Sequence, residues 1–201
     1  MKIINYAFGG SLKFMFRPLF IWWNRIKLRT TGAKLGKHCV IFNRLYYFLH
    51  PKGKLKIGNN CIISSGSNFN QLSRNLKGSI YVGENATLLI GDNVGISSSC
   101  LWVTESVIIG NHVTIGADTL ILDTDAHPLD WRDRRKNGPR NSKPIVIEDD
   151  VFIGTRSIIL KGVTIGARSV IGAGSVVAKS IPPDCVVAGN PCEIIRRVNL
   201  E

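Results

Sequence analysis

The first 83 residues of this 201-residue chain contain no aspartate or glutamate. All 14 acidic residues lie at or after Glu84, whereas 14 of the 26 basic residues precede it. The net charge of +12 therefore belongs to one end: residues 1–83 carry +14, and the remainder, with twelve basic against fourteen acidic residues, carries −2. Charge confined to one segment, with no nucleic-acid-binding motif beside it, argues against nucleic acid as the partner. A long apolar run is also missing. Phe14 to Ile26 is rich in aromatic and aliphatic side chains, but Arg17, Pro18, Asn24 and Arg25 interrupt it, so nothing approaches the ~20 apolar residues of a membrane span. Lys13, Arg17 and Arg25, with no small-residue cleavage site after them, argue against a cleaved signal peptide. There is no CxxC pair. The five cysteines are odd in number, and Cys185 and Cys192 stand in a proline-containing tail, which predicts reduced thiols in a cytoplasmic compartment rather than a disulfide framework or a zinc site.

What the chain has in abundance is glycine and aliphatic residues at a fixed spacing. Twenty glycines, 44% hydrophobic and only 20% charged residues suit one compact β-rich domain with many tight corners. Ile147, Ile153, Ile159, Ile165, Ile171 and Val177 follow one another at intervals of six, with Gly154, Gly166 and Gly172 directly after three of them. Four residues after the aliphatic comes a small or β-branched side chain: Val151, Ser157, Val163, Ser169 and Ser175. The same phase appears at Ile109, Ile115 and Ile121, at Ile90 and Ile96, at Val82 and at Ile57. Slips of one or two residues between these blocks read as bulges or corner insertions, and the interval from Ile121 to Ile147 reads as a protruding loop, the only long interruption. A period of six excludes an α-helix. It fits short strands separated by tight corners, a triangular coil whose stacked turns form parallel sheets around an aliphatic core. Cys39, Cys61 and Cys100 fall at the small position of this repeat and are expected inside it.

The stretches DTDAHPLD at 123–130, VFIGTRSIILKGVTIGARSVIGAGSVVAK at 151–179 and IPPDCVVAGNPCEIIRR at 181–197 resemble the hexapeptide-repeat acyltransferases, in particular the sugar and polysaccharide O-acetyltransferases. That resemblance implies an all-β fold, a left-handed parallel β-helix, whose hand runs against the usual right-handed crossover. The expected organisation is a basic, aromatic-rich, partly helical segment at 1–54, a β-helix at 55–182 with a loop at 123–146, and a C-terminal tail at 183–201. A helix is expected near Leu12–Leu28, ended or kinked around Pro18.

The resemblance further implies transfer of an acetyl group from acetyl-coenzyme A to a sugar hydroxyl, by a homotrimer with no metal. Such a transfer needs a base for the hydroxyl proton, donors for the oxyanion and a slot for the pantetheine arm. The family's acceptor-activating histidine falls on His127, in the DxDxHP pattern of the loop, and Asp125 is the carboxylate expected to orient it; Asp123 is assigned with Trp131 and Arg134 to the acceptor, beside Arg132. For the donor, the resemblance points to backbone amides at Gly154 and Thr155, to Ala173, and to Lys179 and Arg196 near the phosphates. The sequence departs from the family at Phe152, Ala178 and Glu193, where tryptophan, threonine and a second arginine are common, and has Ser97, Ser98 and Ser99 where some relatives have an oxyanion-binding asparagine. Three other readings stand beside this one. A zinc carbonic anhydrase on the same fold needs three histidines, and only His112 and His127 lie in the repeat region. A non-catalytic scaffold or carbohydrate-binding module would lack a use for the loop and tail motifs, and an N-acyltransferase on an amino sugar would share them. The acid-free N-terminal segment, with Phe14, Phe16, Phe20, Trp22 and Trp23, is expected either to touch an anionic membrane peripherally or to cover the end of the β-helix.

Overall fold

The computed structural model describes residues 17–66, 72, 76–136 and 138–198. One helix, α1 (Arg17–Thr30), precedes twenty strands, β1 to β20 in chain order. The first sheet stacks β1 (Lys34–Leu35), β4 (Lys54–Ile57), β7 (Thr87–Ile90), β10 (Ser106–Ile109), β13 (Ile145–Ile147) and β16 (Thr164–Ile165). The second stacks β2 (Val40–Phe42), β5 (Ile62–Ser64), β8 (Gly95–Ser97), β11 (Thr114–Ile115), β14 (Phe152–Ile153), β17 (Val170–Ile171), β19 (Cys185–Gly189) and β20 (Cys192–Arg197). The third stacks β3 (Tyr46–Leu49), β6 (Ser79–Val82), β9 (Cys100–Val103), β12 (Leu120–Leu122), β15 (Ile158–Leu160) and β18 (Val176–Val177). Strands β1 to β18 thus visit the three sheets in turn, every strand pairing between coils is parallel, and among the described strands β19–β20 is the antiparallel pair. This is the parallel β-helix that the period of six predicts.

The aliphatic of each repeat is the residue that points inward: Ile109, Ile115, Ile121 and Ile147 through Val177 at six-residue steps are at most 1% exposed. The small residue is buried too, and its chemistry explains why serine recurs. Ser157 Oγ donates to Gly154 O at 2.8 Å, Ser175 Oγ to Gly172 O at 2.6 Å and Ser169 Oγ to Pro182 O at 2.9 Å, so each hydroxyl satisfies a corner carbonyl that faces a narrow interior.

The corner between the first and second sheets is held by a ladder of side chains. Lys37 N donates to Asn59 Oδ1, Asn59 N to Asp92 Oδ1, Asp92 N to Asn111 Oδ1 and Asn111 N to Asp149 Oδ1, all at 2.7–2.9 Å. The next residue on each coil, from His38 through Asn60, Asn93, His112 and Asp150, has positive φ, which asparagine, aspartate and histidine tolerate better than most residues. Gly36, Gly58, Gly91 and Gly110 precede the first four ladder residues, where a side chain has no room: a Cβ on Gly91 would stand 2.5 Å from Gly110 O; Glu148 precedes the last, Asp149.

Several expectations require correction. The coil begins at Lys34, not near residue 55, because β1, β2 and β3 already pair with the next coil; aromatic residues at 46–48 hid this coil from a search for aliphatics. Within the described residues helix α1 runs from Arg17 to Thr30, so it continues past Pro18 rather than ending there. The expected helical residues 12–16 lie outside the described ones. The tail is not separate from the body: β19 adds a strand to the second sheet and β20 folds back along it. Cys39 and Cys61 are core residues, but Cys100 lies on the outward, half-buried side of β9, and Ser99 fills the interior beside it. The loop after β12 is not the only long interruption, since residues 65–78 connect β5 to β6.

The ladder sets an acid limit. Backbone and side-chain hydrogen bonds from Asn59 hold Asp92 below its ordinary value, and those from Asn111 do the same for Asp149. Their contribution is complete above the unfolded carboxylate value, about 3.9, and is lost as pH falls through the depressed folded value. Calorimetry from pH 7 to pH 3 should therefore show the wild-type midpoint falling more steeply at the acid end than that of the double variant Asp92→Asn, Asp149→Asn. Equal slopes would remove the ladder from the acid response.

Candidate active site

The loop that carries the DTDAHPLD stretch leaves the coil after β12, at the corner between the third and first sheets. Its root is clamped by Asp123, which is 0% exposed. One carboxylate oxygen accepts from Thr104 N and Oγ1, both at 2.8 Å, and the other accepts from Glu105 N at 2.7 Å and Ser106 N at 2.8 Å. All four donors belong to the preceding coil. Asp123 is therefore not the acceptor contact expected from the sequence: a buried carboxylate with both oxygens occupied has nothing left for a sugar. The returning chain closes the loop through a Thr124–Ser142 antiparallel bridge, Asp125 N to Asn141 O at 3.1 Å and Lys143 N to Asp123 O at 2.8 Å.

Asp125 points back to the coil. Its carboxylate accepts from Lys161 Nζ at 2.5 Å, and both side chains are about four-fifths buried. The expected carboxylate–imidazole pair is absent: Asp125 meets His127 through its backbone oxygen, which accepts from His127 N at 2.7 Å. Ala126, at φ +61, makes the turn between them. His127 is exposed beside buried Pro128, and its imidazole makes no hydrogen bond to another described residue. Asp125 thus fixes the backbone from which His127 projects, and Lys161, which the sequence reading missed, fixes Asp125. Nothing in the repeat distinguishes Lys161 from any other corner cation. Beyond His127 lies α2 (Trp131–Arg135), N-capped by Asp130, which accepts from Arg132 N at 2.8 Å. Trp131 and Arg134 are exposed, but Arg132 and Arg135 already lie over the Trp131 ring, at 5.6 and 4.7 Å from its centroid.

The expected donor residues Gly154, Thr155 and Ala173 meet at the corner between the second and third sheets. A Cβ on Gly116 would stand 2.5 Å from Thr155 N and one on Gly154 2.5 Å from Ala173 N. Here the ladder of the first corner has no counterpart: the N–H groups of Thr155 and Ala173 donate to no described residue, whereas those of Asn59, Asp92 and Asn111 are each capped by a side chain of the next coil. The amide of Asp149, where the ladder ends, is likewise without a partner among the described residues, so open amides stand both at that end and at the Thr155–Ala173 corner. Lys179, which follows β18, and Arg196, on β20, are exposed at the C-terminal end of the coil, and no contact joins them to this corner. Ser98 and Ser99 are buried, Ser98 accepting from Gly66 N and Ser99 donating to Gly116 O, which leaves Ser97 half-buried on β8. Burial pushes the Cys61 thiol up to about 11 and raises Cys192, so neither is a ready nucleophile. Among the described residues no three His, Cys, Asp or Glu side chains converge as a metal would require.

Asp123→Ala should leave four donors of one turn without a partner, at a cost of about 3–5 kcal/mol in urea unfolding. A loss below about 1 kcal/mol would mean that the clamp is not what holds the loop root.

The relatives of the chain agree with this construction. The hexapeptide repeat of succinyl-transferase matches residues 144–179. The chain is 42% identical over 121 residues to galactoside O-acetyltransferase of Escherichia coli (strain K12), covering 60% of this chain and 59% of that protein. It is 38% identical over 146 residues to galactoside O-acetyltransferase of Lactococcus lactis, covering 72% and 63%. The match thus spans less than two thirds of the length of either relative. A solved structure of a hexapeptide-repeat-containing acetyltransferase of Vibrio cholerae O1 biovar eltor, complexed with acetyl coenzyme A, superposes with a TM-score of 0.55 at 29% identity over 95% of this chain and 85% of that one. By its period of six, its three-sheet coil and these relatives, the chain is a hexapeptide-repeat parallel β-helix similar to acetyltransferases built on that repeat.

Proposed function

We propose that this chain transfers an acetyl group from acetyl-coenzyme A to a hydroxyl of a sugar or polysaccharide precursor, with His127 as general base. The observation that carries the reading is an exposed imidazole, free of hydrogen bonds to the described residues, on a loop whose root is fixed by Asp123 and whose next turn is fixed by the Asp125–Lys161 pair. A base must be accessible to its substrate yet held in place, and this one is both. The open amides of Thr155 and Ala173 suit the carbonyl oxygens of a pantetheine arm, and Lys179 and Arg196 suit the phosphates beyond it. The relatives named for galactoside acetylation and the acetyl coenzyme A held by the Vibrio cholerae protein favour this donor and a saccharide acceptor. Trp131 and Arg134 are then the acceptor contacts of the loop, Asp123 having been excluded.

In the reaction, the imidazole of His127 takes the acceptor proton as the hydroxyl oxygen attacks the thioester carbonyl. The tetrahedral oxyanion collapses, the carbon–sulfur bond breaks, and the leaving thiolate takes the proton from the imidazolium. No acyl-enzyme forms. Asp125 acts as a positioning residue, since its carboxylate holds Lys161 rather than the imidazole.

Within one chain the root of the His127 loop and the open amides stand at opposite edges of the third sheet, separated by about 10 Å of strand. From this separation we infer a homotrimer in which the loop of one copy meets the corner of its neighbour. The compartment that fits reduced thiols and a nucleotide-activated donor is the cytoplasm.

Two measurements check this. His127→Ala should lower turnover on the acceptor by about 10²–10⁴-fold without changing the oligomer, because the side chain is exposed and outside the core; near-normal turnover would remove His127 as the base. Light scattering should give three times the chain mass, and a fully active monomer would contradict the shared site.

A further inference from the structure

The face of α1 that covers the coil is not the face that carries its tryptophans. At 100° per residue, Ile21, Asn24 and Leu28 share one side of the helix. Leu28 is 1% exposed and Asn24 is 3% exposed, its amide donating to Ile41 O at 3.0 Å and to Asn43 O at 2.7 Å. These residues close the end of the β-helix. Leu19, Trp22, Trp23 and Ile26 lie diametrically opposite, and Trp22 and Trp23 are 62% and 58% exposed. The two tryptophans therefore turn most of their surface away from the coil, Trp22 meeting it only at the edge of a groove shared with Phe42.

The edges of this outward stripe are basic. Arg25 and Arg29 flank it on one side, and neither makes an ion pair among the described residues; Lys27, on the other side, turns its ammonium back over the Tyr47 ring at 4.7 Å from the centroid. Nothing acidic lies nearby in sequence, since no carboxylate side chain occurs before Glu84, which itself pairs with Lys52. A second copy of the chain would bring the same acid-free, basic end against this one, so charge disfavours self-association through the stripe. An anionic surface with an apolar interior complements all of it: tryptophan settles at the boundary between headgroups and acyl chains, and flanking cations meet the lipid charges. No helix among the described residues is long and apolar enough to cross a membrane, so the helix would lie in the interface.

We propose that α1 docks the protein on an anionic lipid bilayer through Leu19, Trp22, Trp23 and Ile26, with Arg25 and Arg29 at the headgroups. The His127 loop then stands three coils along the stack from the docked end, about 14 Å. If the chain acetylates saccharides as proposed above, that height suits a saccharide carried on a lipid.

The test uses the full chain, without substrate, so its outcome does not depend on the acetyl transfer. Sedimentation with vesicles of phosphatidylcholine containing 30–40% phosphatidylglycerol, on the order expected of anionic leaflets, should pull the protein down, with loss in high salt and with phosphatidylcholine alone. Trp22→Ser with Trp23→Ser should weaken binding by about tenfold or more while circular dichroism and the thermal midpoint stay unchanged. Binding that fails with anionic vesicles, or that survives the double substitution, overturns the proposal. So does a fall in molecular mass of the variant in the absence of lipid, which would make the stripe an interface between copies.

Discussion

The interior of the coil has room on each face for one aliphatic side chain and one small one, and the stacked backbone around it must satisfy its own amides from coil to coil. Both requirements repeat every six residues. They fix the strand as two to four residues long, force a corner after it, and leave that corner only side chains small enough for the adjacent turn to approach. Ile153, Ile159, Ile165 and Ile171 meet the first requirement, and the chain of bonds from Lys37 to Asp149 meets the second along one corner. A coil built this way is rigid along its length, and that rigidity makes the corners usable as sites.

Function then arises where the repeat is broken or left open. Asp123 would be an outward loop residue in a free chain, but four donors of the preceding coil turn it into a buried anchor, and the loop can project His127 without disturbing the stack. At the neighbouring corner the same turn geometry lacks the asparagine and aspartate side chains that cap amides elsewhere, so the N–H groups of Thr155 and Ala173 have no partner among the described residues, and the proposed donor site uses them.

The period of six made the coil legible from Ile57 onward, together with its core residues and the protruding loop. The first coil was hidden because Tyr47 stands inward where Ile80 and Leu101 stand on the next coils, and because outward aromatic stacking of Phe48 on Tyr81 and of Tyr81 on Trp102, which runs up the third sheet, has no period-six signature. His127 could be singled out from its motif, but the division of labour between the two loop carboxylates could not. Both precede the histidine at plausible spacing, and only the fold shows that Asp123 faces the amides of residues 105 and 106 while Asp125 faces Lys161, a partner 36 residues away. The two faces of α1 were likewise inseparable in sequence, because the aromatics suited burial and membrane contact equally until Asn24 and Leu28 were seen to do the covering.

The central claim is that the base and the donor corner belong to different copies of the chain. A mixed-oligomer experiment tests it most directly: His127→Ala and Ala173→Trp, the latter filling the exposed donor corner without touching the core, are each inactive alone and are co-expressed in equal amounts. If each site takes its loop from one copy and its corner from the next, randomly mixed oligomers should recover about a quarter of wild-type acetyl transfer. Mixed oligomers that form but remain as inactive as either variant would contradict the shared site.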